Sequence, residues 1–242
     1  MIAYHLQGVI HPRRAQIREH PFGAKFKHVA TGHSASLSAQ VLMNELSVWV
    51  ESEDEWDVFD LKNVVRYNTQ TELAFISYLT GCAYSVEIVR IICREKRIDL
   101  VYGIDVPCIA ARTRKLEFEA ALAQLKQISV GESGVYVQRS MNDLLLAMQH
   151  PEDTAFFCYR AIEALKNHAM SLQPDSPKSG AEQWKQFREM ARCDRADIDF
   201  IKNEADPVRH SNELIATRED RETLFARTWD IVGGYIGGLI DK

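Results

Sequence analysis

From residue 1 to about 108 the chain runs in short stretches of alternating apolar and polar residues, many of them β-branched, broken by glycine, proline and polar clusters. Alternation with a period of two puts successive side chains on opposite faces of an extended chain, so these stretches predict strands at 2–10, 36–42, 46–50, 58–65, 85–93 and 98–104. In 85–93, for instance, Val86 and Ile88 share one face and Glu87 and Val89 the other. One stretch differs. Residues 70–80 carry Leu73, Ile76, Tyr78 and Leu79 at near-helical spacing and end at Gly81, which suits the left-handed position after a helix.

Beyond Pro107 the period changes to three and four. Leu116, Ala120, Leu122 or Ala123, and Leu125 predict a connecting helix from Thr113 to a break at Gly131–Gly134. A helix over 135–148 places Met141, Leu144, Leu145 and Met148 on one face, and Pro151, Glu152 and Asp153 open the next, which runs to about 170. Ser179 and Glu182 have capping-box spacing for a helix to about 191. Another starts at 194 or 195 and meets Pro207, and Thr217 with Asp220 opens a last helix to 240. The expected fold class is α+β: a strand-rich domain over 1–108, a connecting helix and loop over 109–134, and an all-α antiparallel bundle over 135–242.

Composition narrows the classes. Hydrophobic residues at 46% and charged residues at 26% favour neither a disordered nor a membrane-embedded chain. The net charge of −5, with both halves mildly acidic, argues against a broad grip on nucleic acid and leaves room for a local basic patch. Five widely spaced cysteines without a C-x-x-C pair read as reduced core thiols. The N-terminus lacks the order of a secretory signal and no apolar run approaches the roughly 20 residues that span a bilayer, so a cytoplasmic protein with no membrane contact is expected.

Candidate chemistry concentrates in two segments. In the helix 155–166, Tyr159, Arg160 and Glu163 lie three or four residues apart on a common side. In 203–212, Asp206 before Pro207 reads as an N-cap with proline in the first position of a new turn, which would set Arg209 and His210 beside backbone donors, with Ser211 and Asn212 adding polar reach. Such a cluster suits a phosphate or another anion. Equally, Arg209 could pair with Glu163 and Asp206 with Arg160, simply bridging helices. In the last helix, Gly233/Gly237 and Gly234/Gly238 are small residues four apart that admit a second backbone, from within the chain or from a second copy. His28 and His33 lack a third metal ligand in the sequence, and Trp49, Trp56 and Tyr67 read as core or rim aromatics sooner than as a base-stacking platform. No cofactor or nucleotide-loop motif is present, and no metal or cofactor is expected.

With Tyr159-Arg160-Ala161-Ile162-Glu163 on one helix and Ala205-Asp206-Pro207-Val208-Arg209-His210-Ser211 at another's kinked end, residues 135 to 242 resemble the HEPN superfamily of helical bundles. The resemblance implies a homodimer through the helical domain. In catalytic members it implies metal-independent cleavage of RNA by an arginine and a histidine with four to six residues between them. Here Arg209 matches the arginine and His210 the polar residue beside it, but Leu214, Ile215 and Ala216 follow where a histidine would be sought, and Asn203, Glu204 and Ala205 precede His210 at the matching distance. Arg14 and His20 have the spacing but sit in the strand-rich half and read as a chance match.

Three functions stay open. The first is a HEPN-like binding or interaction protein that takes RNA, another anionic ligand or a protein partner through the cluster around Arg209, with Tyr159, Arg160, Glu163, Asp206, Ser211 and Asn212 as binding residues. The second is a divergent HEPN ribonuclease of a bacterial defence or toxin system, with Arg209 and His210 catalytic. The third is a purely structural homodimer, its seam at the last helix or its neighbour.

Overall fold

The computed structural model describes residues 1–28, 30–114, 116–173, 179–209 and 217–240. Its contacts divide the chain into two compact units, Met1–Ile104 and Asp105–Lys242. The first is a six-stranded antiparallel sheet with a helix, the second is helical, so the α+β class holds.

The strands are β1 (Ile2–His11), β2 (Glu19–Lys27), β3 (Ser34–Leu42), β4 (Glu45–Ser52), β5 (Ser85–Cys93) and β6 (Ile98–Val101), in the order β2-β3-β4-β1-β5-β6. Alternation sorts them. Tyr4, Leu6 and Ile10 of β1, Val48 and Val50 of β4, and Ile88 and Ile91 of β5 are buried. β2 escapes the sequence pattern because it carries Pro21 and Gly23, which a strand tolerates at a sheet edge, and β2 is the edge.

The strand expected over 58–65 is instead the first part of a helix, α1 (Val58–Thr80). Asp57 caps it by accepting from the backbone N–H groups of Phe59 and Asp60 at 2.8 and 3.1 Å. Leu61, Val64 and Val65 are buried at a spacing of three and four, so the period of burial prevails over the β-branched composition. α1 ends at Gly81, whose φ of 70° is the left-handed cap its sequence suggested. It packs against β5.

In the second unit the single connecting helix becomes two, α2 (Pro107–Thr113) and α3 (Phe118–Ile128). Then come α4 (Gly131–Gln149), a 3-10 turn (Pro151–Asp153), α5 (Thr154–Ser171), α6 (Gly180–Ala191), α7 (Arg195–Arg209) and α8 (Arg218–Ile240). The expected break at 131–134 is the start of α4. Gly134 is required there, because a Cβ would lie 2.4 Å from the Ser129 carbonyl oxygen. α5 is central: Cys158, Ala161, Ile162, Leu165 and Ala169 are fully buried, and α4, α6, α7 and α8 pack around it. Ser179 takes the N-cap of α6 without a side-chain bond, whereas Thr217 and Asp220 cap α8 reciprocally, each backbone N–H donating to the other's side chain at 3.2 Å.

The two glycine pairs of α8 part company. A Cβ at Gly234 would stand 2.2 Å from the Ala191 carbonyl oxygen and one at Gly238 2.9 Å from that of Met190, so this pair receives the end of α6. Among the described residues nothing lies within 4 Å of a Cβ at Gly233 or Gly237.

Candidate functional site

α7 continues through Pro207 to Arg209. Asp206 therefore does not cap a new helix, and Arg209 lies in a last turn, not beside a first one. Proline keeps φ helical and only deletes one backbone donor, which a final turn survives. The consequence is electrostatic: a C-terminal turn exposes carbonyls and the negative end of the dipole, which favours the cation Arg209 and removes the backbone donors expected for an anion. His210, Ser211 and Asn212 lie outside the described residues.

The two expected ion pairs do not form. Arg160 reaches Asp143 of α4 at 3.1 Å, with its guanidinium over the rings of Phe156 and Phe157. Arg209 approaches Asp206 at 3.8 Å, and Asp206 also takes Lys202 at 2.8 Å. The reason is rotation about α5. Arg160 is one residue on from Tyr159, about 100° around the helix, and faces α4. The sequence did carry a sign of its partner, since Asp143 lies among Val137, Ser140, Leu144 and Ala147 on the buried face of α4.

Tyr159, Glu163, Asp206 and Arg209 do come together. The Tyr159 ring is buried, and the charges of Glu163, Asp206 and Arg209 all act on its hydroxyl. Burial first, then the charges of Glu163 and Asp206, push the phenol up to about 12 against the opposing pull of Arg209. It is a fixed hydrogen-bond donor at neutral pH.

On the other side of the same ring, Trp184 of α6 stacks at 6.2 Å between centroids and 22° between planes, and the Lys166 ammonium lies 4.9 Å from the Trp184 centroid. Tyr159, Trp184 and Ile198 form one part of a hollow of about 280 Å³, and Arg188, Arg195, Lys202 and Asp199 another. Arg195 is shared with Asp199 at 3.0 Å and Lys202 with Asp206. Arg188, half-buried, makes no ion pair among the described residues, and it also lines a second hollow of about 410 Å³ where Lys185, Arg192 and Arg227 are balanced by Glu189, Asp194, Asp197 and Asp230. Sequence reasoning missed Trp184, Arg188 and Lys202 because they sit on two helices that only packing unites. Their local signals, Trp184 and Arg188 four apart and Arg195 and Lys202 seven apart, name faces but not neighbours.

Other candidates disperse. His168 is buried and shares a 2.7 Å hydrogen bond with the Tyr235 hydroxyl, and burial lowers its pKa. His150 is set against Phe157 and 3.6 Å from Glu152. His20 pairs with Glu72 at 2.8 Å. Trp56 is buried with its indole N–H on Ser52, while Trp49 stacks on His5 at 5.3 Å and stays 46% exposed. The five cysteines are free, and burial pushes Cys158 up to about 12 and Cys193 up to about 11, away from thiolate chemistry. Among the described residues no three histidines, cysteines or carboxylates gather to hold a metal ion, and no helix is long and apolar enough to cross a membrane.

Two family models match the chain. Residues 4–102 match the domain of unknown function (DUF8168) N-terminal domain, and residues 122–238 match the DUF8168 C-terminal domain. No curated protein and no solved structure matches. With both domains present, in order and over most of its length, the chain belongs to the DUF8168 family.

Proposed function

We propose that this is a HEPN-like binding protein, cytoplasmic in keeping with its free thiols, whose helical domain holds single-stranded RNA without cleaving it. The observation that carries the reading is Arg188: a half-buried guanidinium that makes no ion pair among the described residues, beside the Tyr159–Trp184 aromatic pair, in a chain of net charge −5. A cation that an acidic protein leaves unpaired beside an aromatic surface suits a ligand with phosphates and flat bases. Lys166, Arg195 and Lys202 add charge around that surface, and the Tyr159 hydroxyl stays protonated to donate. Arg209 supports the site from below through Asp206 and Tyr159, a positioning part that replaces the catalytic one its family likeness implies.

Fluorescence anisotropy with a labelled single-stranded RNA at low salt tests this. Arg188→Ala and Trp184→Ala are each expected to weaken binding about tenfold, from the 1–3 kcal/mol that a stacked base or a charge-assisted contact contributes. Affinity should fall as salt rises. Equal binding by wild type and both variants would remove the reading, and cleavage of the RNA that is lost in Arg209→Ala would replace it with the ribonuclease alternative.

A further inference from the structure

On β4, Val48 and Val50 point into the core of the strand-rich unit, and Trp49 between them stands on the outer face of the sheet. The register sets its neighbours. His5 of β1 lies opposite Trp49 on one side and Ser38 of β3 on the other, and Gly23 of β2 lies opposite Ser38. His5 covers one face of the indole, with 5.3 Å between ring centroids and 20° between planes. Burial first and then the charge of Arg90 lower the His5 pKa, so this backing ring is neutral at neutral pH. On the other side Ser38 is short and exposed. Beyond it, a Cβ placed on Gly23 would come within 4 Å of the Leu37 carbonyl oxygen alone among the described residues outside its own chain neighbours, at 3.2 Å. With neighbouring strands about 4.8 Å apart, the gap above Ser38 and Gly23 takes a flat ring on edge against the indole.

Two residues along the same strands, and so about 7 Å away on the same face, come Glu51, Ser36 and Lys25. Together with Lys27, Ser34 and Glu53 they line a hollow of about 550 Å³, inside the range of about 300–1,000 Å³ that small-molecule sites occupy. Glu53 is taken by the Met1 ammonium at 3.2 Å, and Asp54 close by accepts the Ser34 backbone N–H at 2.9 Å. Lys25, Lys27 and Glu51 make no ion pair among the described residues. Charge therefore selects the ligand class. A neutral sugar would leave both lysines without a partner, and a run of phosphates would meet Glu51. A flat base, a diol and a single phosphate match the gap, the carboxylate and the two lysines in turn.

We infer that this outer face is a ribonucleotide site, with the base stacked on the free face of Trp49 over Ser38 and Gly23, the ribose hydroxyls on Glu51 and Ser36, and the phosphate on Lys25 and Lys27. A free nucleotide and one nucleotide of an RNA chain present the same chemistry to it. The site lies on the strand-rich unit and stands independently of the RNA reading of the helical one.

Titrating the isotope-labelled full chain with adenosine monophosphate, while following the Trp49 indole N–H resonance identified by its loss in Trp49→Phe, reads the site directly. A saturable shift is expected below about 1 mM nucleotide. Lys25→Ala with Lys27→Ala should weaken the nucleotide about tenfold and bring it to the affinity of adenosine, which has no phosphate. By calorimetry, Trp49→Ala should also weaken it about tenfold through the lost stacking. Ser38→Leu fills the gap from an exposed position, so it should abolish binding with the circular dichroism of the wild type. Arg188→Ala should leave this titration unchanged, which separates the site from the helical one. Hexaadenylate moving the resonance at a lower concentration than the mononucleotide would identify RNA as the source of the ligand, and the reverse order a free nucleotide. A Trp49 resonance unmoved by hexaadenylate and by about 5 mM mononucleotide, adenosine bound as tightly as the nucleotide, or full binding by Ser38→Leu would each overturn the inference.

Discussion

Two arginine–aspartate pairs flank the central helix α5, and they live in opposite surroundings. Arg160 meets Asp143, whose side chain is 3% exposed, while Arg209 meets Asp206 with both side chains more than a third exposed. Burial raises the pKa of Asp143 by more than Arg160 and Arg139 lower it, so the two cations offset only part of the cost of burying its charge. The exposed pair is solvated on both sides and contributes little. α8 repeats the contrast without charge: Gly234 and Gly233 are neighbours in sequence, yet one abuts a carbonyl oxygen and the other none of the described residues. Chemical type is shared within each pair. Surroundings decide what each residue is for.

The largest expected effect belongs to the glycines. Gly234→Ala forces a methyl onto the Ala191 carbonyl, a backbone atom that cannot swing aside, and should destabilise by about 3 kcal/mol, at the upper end of overpacking costs. Gly233→Ala should stabilise by about 1 kcal/mol through helix propensity. Urea unfolding of the two variants checks both. Loss of stability in Gly233→Ala would mean that a further surface covers that face of α8.

Next in size, Arg160→Ala should cost about 2 kcal/mol, below the 3–5 kcal/mol of a fully buried pair because Arg160 keeps some contact with water. The pKa of Asp143 should then rise further. Arg209→Ala should cost less than about 0.5 kcal/mol, as an exposed pair does. Equal losses from the two, in the same denaturant titration, would erase the contrast drawn between the two sides of α5.

The third effect is one of pH and smaller. His168 is buried with its pKa below the ordinary 6.5 of a histidine, so the unfolded chain takes up a proton here before the folded one does. Stability from this group is complete above about 6.5, the unfolded value, and is lost as pH falls from there towards the folded pKa. Melting temperature between pH 7.5 and 5 should therefore fall more steeply in the wild type than in His168→Gln. Parallel slopes would show that the imidazole is not the group concerned.

How much of this could be read from the residues depends on the range of the forces involved. Periodicity is local, so β1, β3, β4 and β5, the bundle helices α4 to α8 and the α+β class follow from it, as does the Thr217–Asp220 cap, closed within one turn. Composition misled at Val64 and Val65, where β-branching suggests a strand and the three-and-four spacing of burial requires a helix. Proline misled at Pro207, because the sequence shows a break and not on which side of it Arg209 will lie. The site was half legible: Tyr159, Glu163, Asp206 and Arg209 could be drawn from two motifs, but Trp184 and Arg188 could not. Which helix faces meet is settled by the fit of α6 and α7 around α5, where a carbonyl settles against Gly234 and a ring against Tyr159, and no spacing along the chain encodes that distance.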